Sequence, residues 1–562
     1  MPTTTVDARA ATEAAVAGLQ PPALWNFFAQ LTQIPRPSKH ETRVLQYLKD
    51  FADARQLSWR QDAVGNLVIC RPGSGGGETA PGVVIQGHID MVCEKDPALA
   101  HDFLADPLRL RREGDWLQAT GTTLGADNGI GVAAALALLD LPPSAKLPPL
   151  ECLFTVDEET GLTGAFQVSP DLVRGRTMLN LDTEDWGEVF IGCAGGGDTT
   201  LVLEVALQPP PASPPMSAYE LTVGGLLGGH SGLNIAEGRG NAVQLLARAL
   251  AAVERAAAAA PVEGGAAGVS GAGTAAGAAA EPGWRLVDAS GGDKRNAIAR
   301  DARAVILVSD ARREAVAAAV CELQQQLAAE YGRLEGGLAV RLRRRGGSAE
   351  EPLAAQGQQG QGLQQQVVAP ADVDRLLALL RGLPHGPLKF SHAVPGLVET
   401  SNNLASLKDG ATLPPGEPGA GGPAHPASAR RYVVTCTTRS SLTPALEATR
   451  DVIAGLARLA GCVALHRKPA YPGWQPDPTS PVLQMTLDAY KELTGSDAKV
   501  SAIHAGLECG ILQQRFAGMD CVSFGPTIKG AHSPDERVQL STVEPFWDLT
   551  LRLLQRLADV RQ

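Results

Sequence analysis

The sequence predicts an α/β fold, with helices set between the strands of a mostly parallel central sheet. Three observations predict it. Short apolar runs of strand length end in polar residues, as in PGVVIQGHID, ECLFTVDEE and MLNLDTED. A compact apolar stretch from Gly129 to Leu139, GIGVAAALALL, follows a glycine-containing loop and reads as a buried helix between two of those strands. The chain's 562 residues exceed one ordinary hydrophobic core, so two domains are expected.

Taken in order, each predicted strand hands over to a polar cluster. His88-Ile89-Asp90 closes the first, Asp127-Asn128 opens the apolar helix, Asp157-Glu158-Glu159 closes the next strand, and Asp182 follows the third. His532, in GPTIKGAHSPDERV, lies near the far end of the chain. In open α/β sheets, functional groups gather at the carboxyl ends of strands, and these clusters fall there.

Composition narrows the function classes. A formal charge of −11 opposes a nucleic-acid partner, because neutralising phosphates needs a basic face. The run Arg341, Arg343, Arg344 and Arg345 reads as a solvated strand end. No apolar run approaches the roughly 20 residues of a membrane-spanning helix, so no membrane association is expected. Nine scattered cysteines without a CxxC pair suit a reducing compartment, and the first residues lack the pattern of a secretory signal. A cytoplasmic location is the expectation.

Three stretches break the pattern, near residues 256–283 (Ala/Gly-rich), 346–366 (Gln/Gly-rich) and 409–429 (Pro/Gly-rich). They have little apolar surface to bury against the entropy of ordering and read as disordered insertions.

Imidazoles and carboxylates are the ligands that zinc takes, and a carboxylate with two oxygens can bridge a metal pair suited to hydrolysis. Each cluster also has a structural reading. Asp127 can cap the apolar helix, Asp182 can be a turn residue, Glu158-Glu159 can be a solvated strand end, and His532 can be a surface histidine. Their ordered recurrence at strand ends favours a shared site.

The segments GHIDMVCEK, TTLGADNGIG, FTVDEETGLTGA, LNLDTED, GGHSGLNIAEGRGNA, IHAGLECG and GPTIKGAHSPDERV resemble the cytosolic nonspecific dipeptidases, also called aminoacyl-histidine dipeptidases or peptidase D. These are a branch of the zinc aminoacylase and carboxypeptidase superfamily. The resemblance runs from about Leu24 to the C-terminus. It implies two Zn2+ per subunit, with Mn2+ or Co2+ as substitutes. His88, Asp127, Glu159, Asp182 and His532 would be the ligands, with Asp127 bridging. Asp90 would orient His88 through its ring N–H, and Glu158 would be the general base. A local turn is needed to aim both Glu158 and Glu159 inward, because neighbours on an extended segment point opposite ways. A cis peptide after Asp127 is also implied.

The ligands are interrupted by about 275 residues, which implies a catalytic domain of residues 1–194 and 471–562 around an inserted α+β domain of residues 195–470. In the family this insert is a lid that closes over substrate and mediates dimerisation, so a homodimer is expected. His230, Asn403 and Arg439 resemble the lid residues that bind substrate, and an arginine suits a dipeptide carboxylate. Arg439 equally fits a strand edge. Glu508 reads either as a partner for the substrate's free amine or as a core residue. The implied activity is hydrolysis of unblocked dipeptides, Xaa-His included. The alternatives are an N-acyl amino acid hydrolase or carboxypeptidase of the same superfamily, or a non-catalytic metal-binding scaffold.

Overall fold

The computed structural model describes residues 3–259, 283–345, 366–414, 416–420 and 428–561. Most of the first two low-complexity stretches lies outside the described residues, as do residues 415 and 421–427 of the third. Their borders are ordered, against expectation. The alanines at 256–259 continue the helix Ala242–Ala259, consistent with alanine's helix propensity. Asp409 ends one strand and Ala429 begins the next.

The chain divides into two compact units. The first comprises Met1–Ala194, His392–Leu397 and Pro472–Gln562, and the second Gly195–Ser391 and Val398–Tyr471.

In the first unit an eight-stranded sheet runs, edge to edge, through Ser58–Gln61, Leu67–Arg71, Leu150–Thr155, Val83–His88, Thr177–Asn180, Asp520–Ser523, Glu188–Cys193 and Lys499–Ile503. The four central strands, from Leu150–Thr155 to Asp520–Ser523, are mutually parallel. Antiparallel pairs flank them, so the sheet is mixed at its margins. Val83–His88 and Leu150–Thr155 are buried at every position, the pattern of strands covered on both faces.

The helix Ala126–Leu139 packs on the strand Val83–His88 and is buried at every position except Asp127. A helix apolar all round belongs inside. The approach needs Gly87, where an added Cβ would lie 2.2 Å from Asn128 Oδ1. A separate four-stranded sheet, Leu110–Glu113, Trp116–Ala119, Arg537–Gln539 and Ile528–Lys529, carries His532 in the turn between its last two strands.

Among its described residues the second unit is an antiparallel sheet of ten strands, with the helices Ala242–Ala259, Arg313–Tyr331, Pro370–Gly382 and Thr443–Leu459 sharing its main apolar core. The arginine run falls on Ala339–Arg344, an edge strand whose arginines are largely exposed. Arg439 is not a strand-edge residue. Its strand Ala429–Ser440 pairs on both sides, and Arg439 itself faces Ser401 and Gly196.

Candidate metal centre

Three adjacent parallel strands end at one place. Val83–His88 delivers His88, Leu150–Thr155 leads to Asp157-Glu158-Glu159, and Thr177–Asn180 leads to Asp182. The helix N-terminus adds Asp127, and the small sheet adds His532.

Asp127 divides its carboxylate between two histidines. Its Oδ1 lies 3.0 Å from His88 Nε2, and its Oδ2 lies 3.2 Å from His532 Nε2. His88 Nε2 is also 3.3 Å from Asp182 Oδ1, and His532 Nε2 is 3.1 Å from Glu159 Oε2. Two triads result, His88–Asp127–Asp182 and Asp127–Glu159–His532, each with its ligand atoms within 4.8 Å of one another. Asp127 does not cap the helix with its side chain, whose two oxygens face histidines. Gly125, in the left-handed region at φ 66°, precedes the helix, and a kink with non-helical angles at Asp127 and Asn128 interrupts its first turn. The Asp127–Asn128 peptide is cis.

The turn that aims two adjacent glutamates is visible. Asp157 takes a left-handed conformation at φ 51°, and its carboxylate accepts the hydroxyls of Thr160 and Thr163. Asp90 then binds both following amides, Glu158 N–H on Oδ1 and Glu159 N–H on Oδ2. Its Oδ1 also stands 3.3 Å from His88 Nδ1. One buried aspartate thereby holds the glutamate turn and stands beside the His88 ring. Ligand-atom oxygens of Glu158 and Glu159 lie within 4.8 Å of His88.

The electrostatics of this cluster call for cations. Burial pushes Asp182 up to about 7 and carries Glu158 well above the usual carboxylate range, with neighbouring carboxylates adding to both. Hydrogen bonds to Asp127 and Glu159 lift His532 to about 11. Burial opposes protonation of His88, but Asp182, Asp127 and Asp90 outweigh it and raise its pKa well above 6.5. Asp182 Oδ1 and Glu159 Oε1 are buried without a hydrogen-bond donor among the described residues. Buried acceptors facing one another are satisfied by a cation, and this donor set of imidazole nitrogens and carboxylate oxygens fits divalent zinc.

Several positioning residues escaped the sequence reading. Glu536 accepts the amides of Leu124 and Gly125 on Oε2 and those of Ala126 and Asp127 on Oε1. Arg36 donates to the carbonyls of Ile89, Asp90 and Gly125. Glu41 accepts the Asp157 amide, and Ser38 donates to Asp90. Glu536 sits four residues after His532 in an already quoted motif, which is the one available signal; Arg36 and Glu41 had none.

Glu508, considered as a partner for a substrate amine, is fully buried. Its Oε2 accepts from Gln86 Nε2 and Thr155 Oγ1, both at 2.6 Å. Burial pushes this carboxyl up to about 7 against the pull of His88 and the Thr155 hydroxyl.

In the second unit, His230 Nδ1 accepts the amides of Gly232 and Leu233, so the ring hydrogen sits on Nε2. Burial and the nearby Arg439 push its pKa down to about 4, and the ring is a neutral donor. Arg439 Nη2 approaches His230 Nε2 at 3.5 Å, while the guanidinium donates to Ser231 Oγ and Tyr471 Oη. Asn403 spends its amide hydrogens on the carbonyls of Arg295 and Ala297, and its Oδ1 is buried without a partner among the described residues.

A half-buried carboxylate divided between two histidine–carboxylate triads at parallel strand ends defines the chain as a hydrolase of the metal-dependent class. Comparison with known proteins makes this particular. The model of peptidase family M20/M25/M40 matches residues 84–556, and the chain belongs to that family. It is 35% identical over 539 residues to the cytosol non-specific dipeptidase of Escherichia coli (strain K12), covering 96% of this chain and 98% of the relative. The crystal structure of aminoacylhistidine dipeptidase from Vibrio alginolyticus superposes with a TM-score of 0.78 at 36% identity, covering 96% and 98% of the two chains. A Staphylococcus aureus tripeptidase shares the fold at a TM-score of 0.52 and 14% identity, covering 96% of this chain and all of that one. Among the described residues no helix is long and apolar enough to cross a membrane.

Proposed function

We propose that this chain is a dizinc dipeptidase that hydrolyses unblocked dipeptides, Xaa-His substrates included. The observation that carries the reading is the division of Asp127 between His88 and His532. The two relatives at 35% and 36% identity, one named a non-specific dipeptidase and the other an aminoacylhistidine dipeptidase, support the substrate class.

His88, Asp127 and Asp182 would hold one ion, and Asp127, Glu159 and His532 the other. When bound, the ions supply Lewis acidity, lowering the pKa of a nearby water and polarising the scissile carbonyl. Glu158 takes the proton of the attacking water on its carboxylate and returns it to the leaving amine. Asp90 keeps Glu158 aimed through the backbone amide it accepts, and it fixes the His88 ring through Nδ1. In the second unit the neutral Nε2–H of His230 offers a donor to a substrate oxygen. Arg439 supplies charge for the terminal carboxylate, and Asn403 offers only its Oδ1.

The protein acts in the cytoplasm, in keeping with nine free cysteines and the cytosolic relative. It assembles as a homodimer. The support is apolar surface on the helix Thr443–Leu459, where Val452 and Leu459 lie seven residues apart on one face and Leu459 is 87% exposed, followed by exposed Val463. Light scattering should give twice the chain mass, and Leu459→Asp should halve it.

Turnover of free against N-acetylated dipeptides tests the substrate class. Preference for the N-acetylated form would replace the proposal with an N-acyl amino acid hydrolase.

A further inference from the structure

A row of polar side chains crosses the floor of the site, on the strands that lead to the ligands and two to three residues before them. Ser523 donates to Asn180 Oδ1, Asn180 Nδ2 donates to Gln86 Oε1, and Gln86 Nε2 donates to Glu508 Oε2. Thr155 Oγ1 donates to the same Glu508 oxygen. These residues stand on Asp520–Ser523, Thr177–Asn180, Val83–His88 and Leu150–Thr155, the four consecutive parallel strands at the centre of the sheet. Gln86 pairs in register with Asn180, and Asn180 with Ser523.

The position of the row relative to the ligands matters. Gln86 is two residues before His88, Asn180 two before Asp182, and Thr155 three before Glu158. A period of two puts Gln86 and His88 on the same face of their strand. Buried polar groups bind strongly only when their partners sit at set distances, so a continuous row ties the strand ends to one another. Glu508 closes it from outside the sheet, at the first turn of the helix Glu508–Arg515. Glu508, Gln86, Thr155, Asn180 and Ser523 are all buried. Backbone pairing alone would fix strand register and the face each side chain takes, but it would leave the rotamers at the strand ends free.

We propose that Glu508 is a positioning residue for the metal centre: by clamping Gln86 and Thr155 it sets the spacing between His88 and the Glu158–Glu159 turn. This assignment rests on the metal-centre reading above. Glu508 Oε2 is committed to the sheet, while Oε1 is buried without a partner among the described residues, so the KM comparison below separates this role from one in which Glu508 receives the substrate's amine.

The test is a zinc titration of metal-stripped full-length protein carrying Glu508→Gln, Glu508→Ala or Thr155→Val. Each variant is first checked for a wild-type thermal unfolding transition. Ligand-orienting partners typically change metal affinity by about 10–100-fold. Glu508→Gln and Glu508→Ala should weaken zinc binding within that range. Thr155→Val, which removes one of the two donors and keeps the charge, should weaken it less and guards against a Glu508 variant that fails to fold. With saturating zinc, KM for free and N-acetylated dipeptides should keep its wild-type ratio. Wild-type zinc affinity in the folded variants would overturn the proposal. So would a KM rise confined to unblocked dipeptides, which would return Glu508 to the substrate. Failure of the wild-type protein to bind zinc in the same titration would overturn the metal-centre reading and this proposal with it.

Discussion

Glu536 holds Asp127 by its backbone: the glutamate's Oε1 accepts the Asp127 amide at 3.3 Å and the Ala126 amide at 2.8 Å, while Oε2 accepts the two amides before them. One carboxylate, 409 residues away in sequence, thus orders the loop that presents the dividing aspartate. Hydrogen bonds to a charged acceptor contribute about 1.5–3 kcal/mol each and do not add simply. Glu536→Ala should therefore lower unfolding free energy by about 2–4 kcal/mol in chemical denaturation. It should also weaken zinc binding. A variant as stable as the wild type would show that the loop is ordered by other contacts.

Glu158 has a role separable from metal holding. Glu158→Gln keeps the side-chain volume, the turn held by Asp90, and all five proposed ligands. Metal content should stay at the wild-type value, while kcat falls by about a hundredfold or more. Near-normal turnover would assign the proton transfer to another group.

His385 supplies a pH dependence distant from the metal ligands in the chain. It is half-buried and accepts at Nδ1 from the Leu404 amide, with the Asn241 side chain 3.3 Å away. Burial pushes its pKa from the ordinary 6.5 down to about 4. The unfolded chain therefore binds this proton more readily than the folded one. The contribution to stability is complete above about pH 6.5 and is lost as pH falls towards 4, up to roughly 3 kcal/mol. His385→Asn should be less stable at neutral pH and should flatten the slope of stability between those values. Equal slopes in both proteins would remove His385 from the acid response.

Removing metal should cost stability. A ligand that binds only the folded state adds RT ln(1 + [L]/Kd), about 2.7 kcal/mol at a hundredfold excess over Kd. Chelation should lower the thermal midpoint, and zinc should restore it. Substituting Asp127 by Asn should abolish the restoration, because both triads share that residue.

Much of this site was legible in the sequence, for a physical reason. Strands buried on both faces read as apolar runs, so the polar residues that end them stand out, and His88, Asp157–Glu159 and Asp182 do. The residues around them were harder to see. Glu508, Glu536 and Arg36 act across 353 to 422, about 410 and 53 to 89 positions respectively, and a buried glutamate has no local pattern to separate it from a solvated one. Asp157 looked like one more acid in a cluster. Only its left-handed backbone shows that it makes the turn that Glu158 and Glu159 require. The segment His392–Leu397 grouping with the first unit likewise has no mark in the sequence.

The most direct test is to strip the protein of metal, add zinc in steps, and measure bound zinc together with hydrolysis of a panel of unblocked dipeptides that includes Xaa-His members. The expected result is no turnover in the stripped protein, two zinc ions bound per chain, and release of free amino acids that reaches its maximum as the second site fills. Full hydrolysis without metal, or two bound ions in a folded protein that cleaves none of the panel, would contradict it.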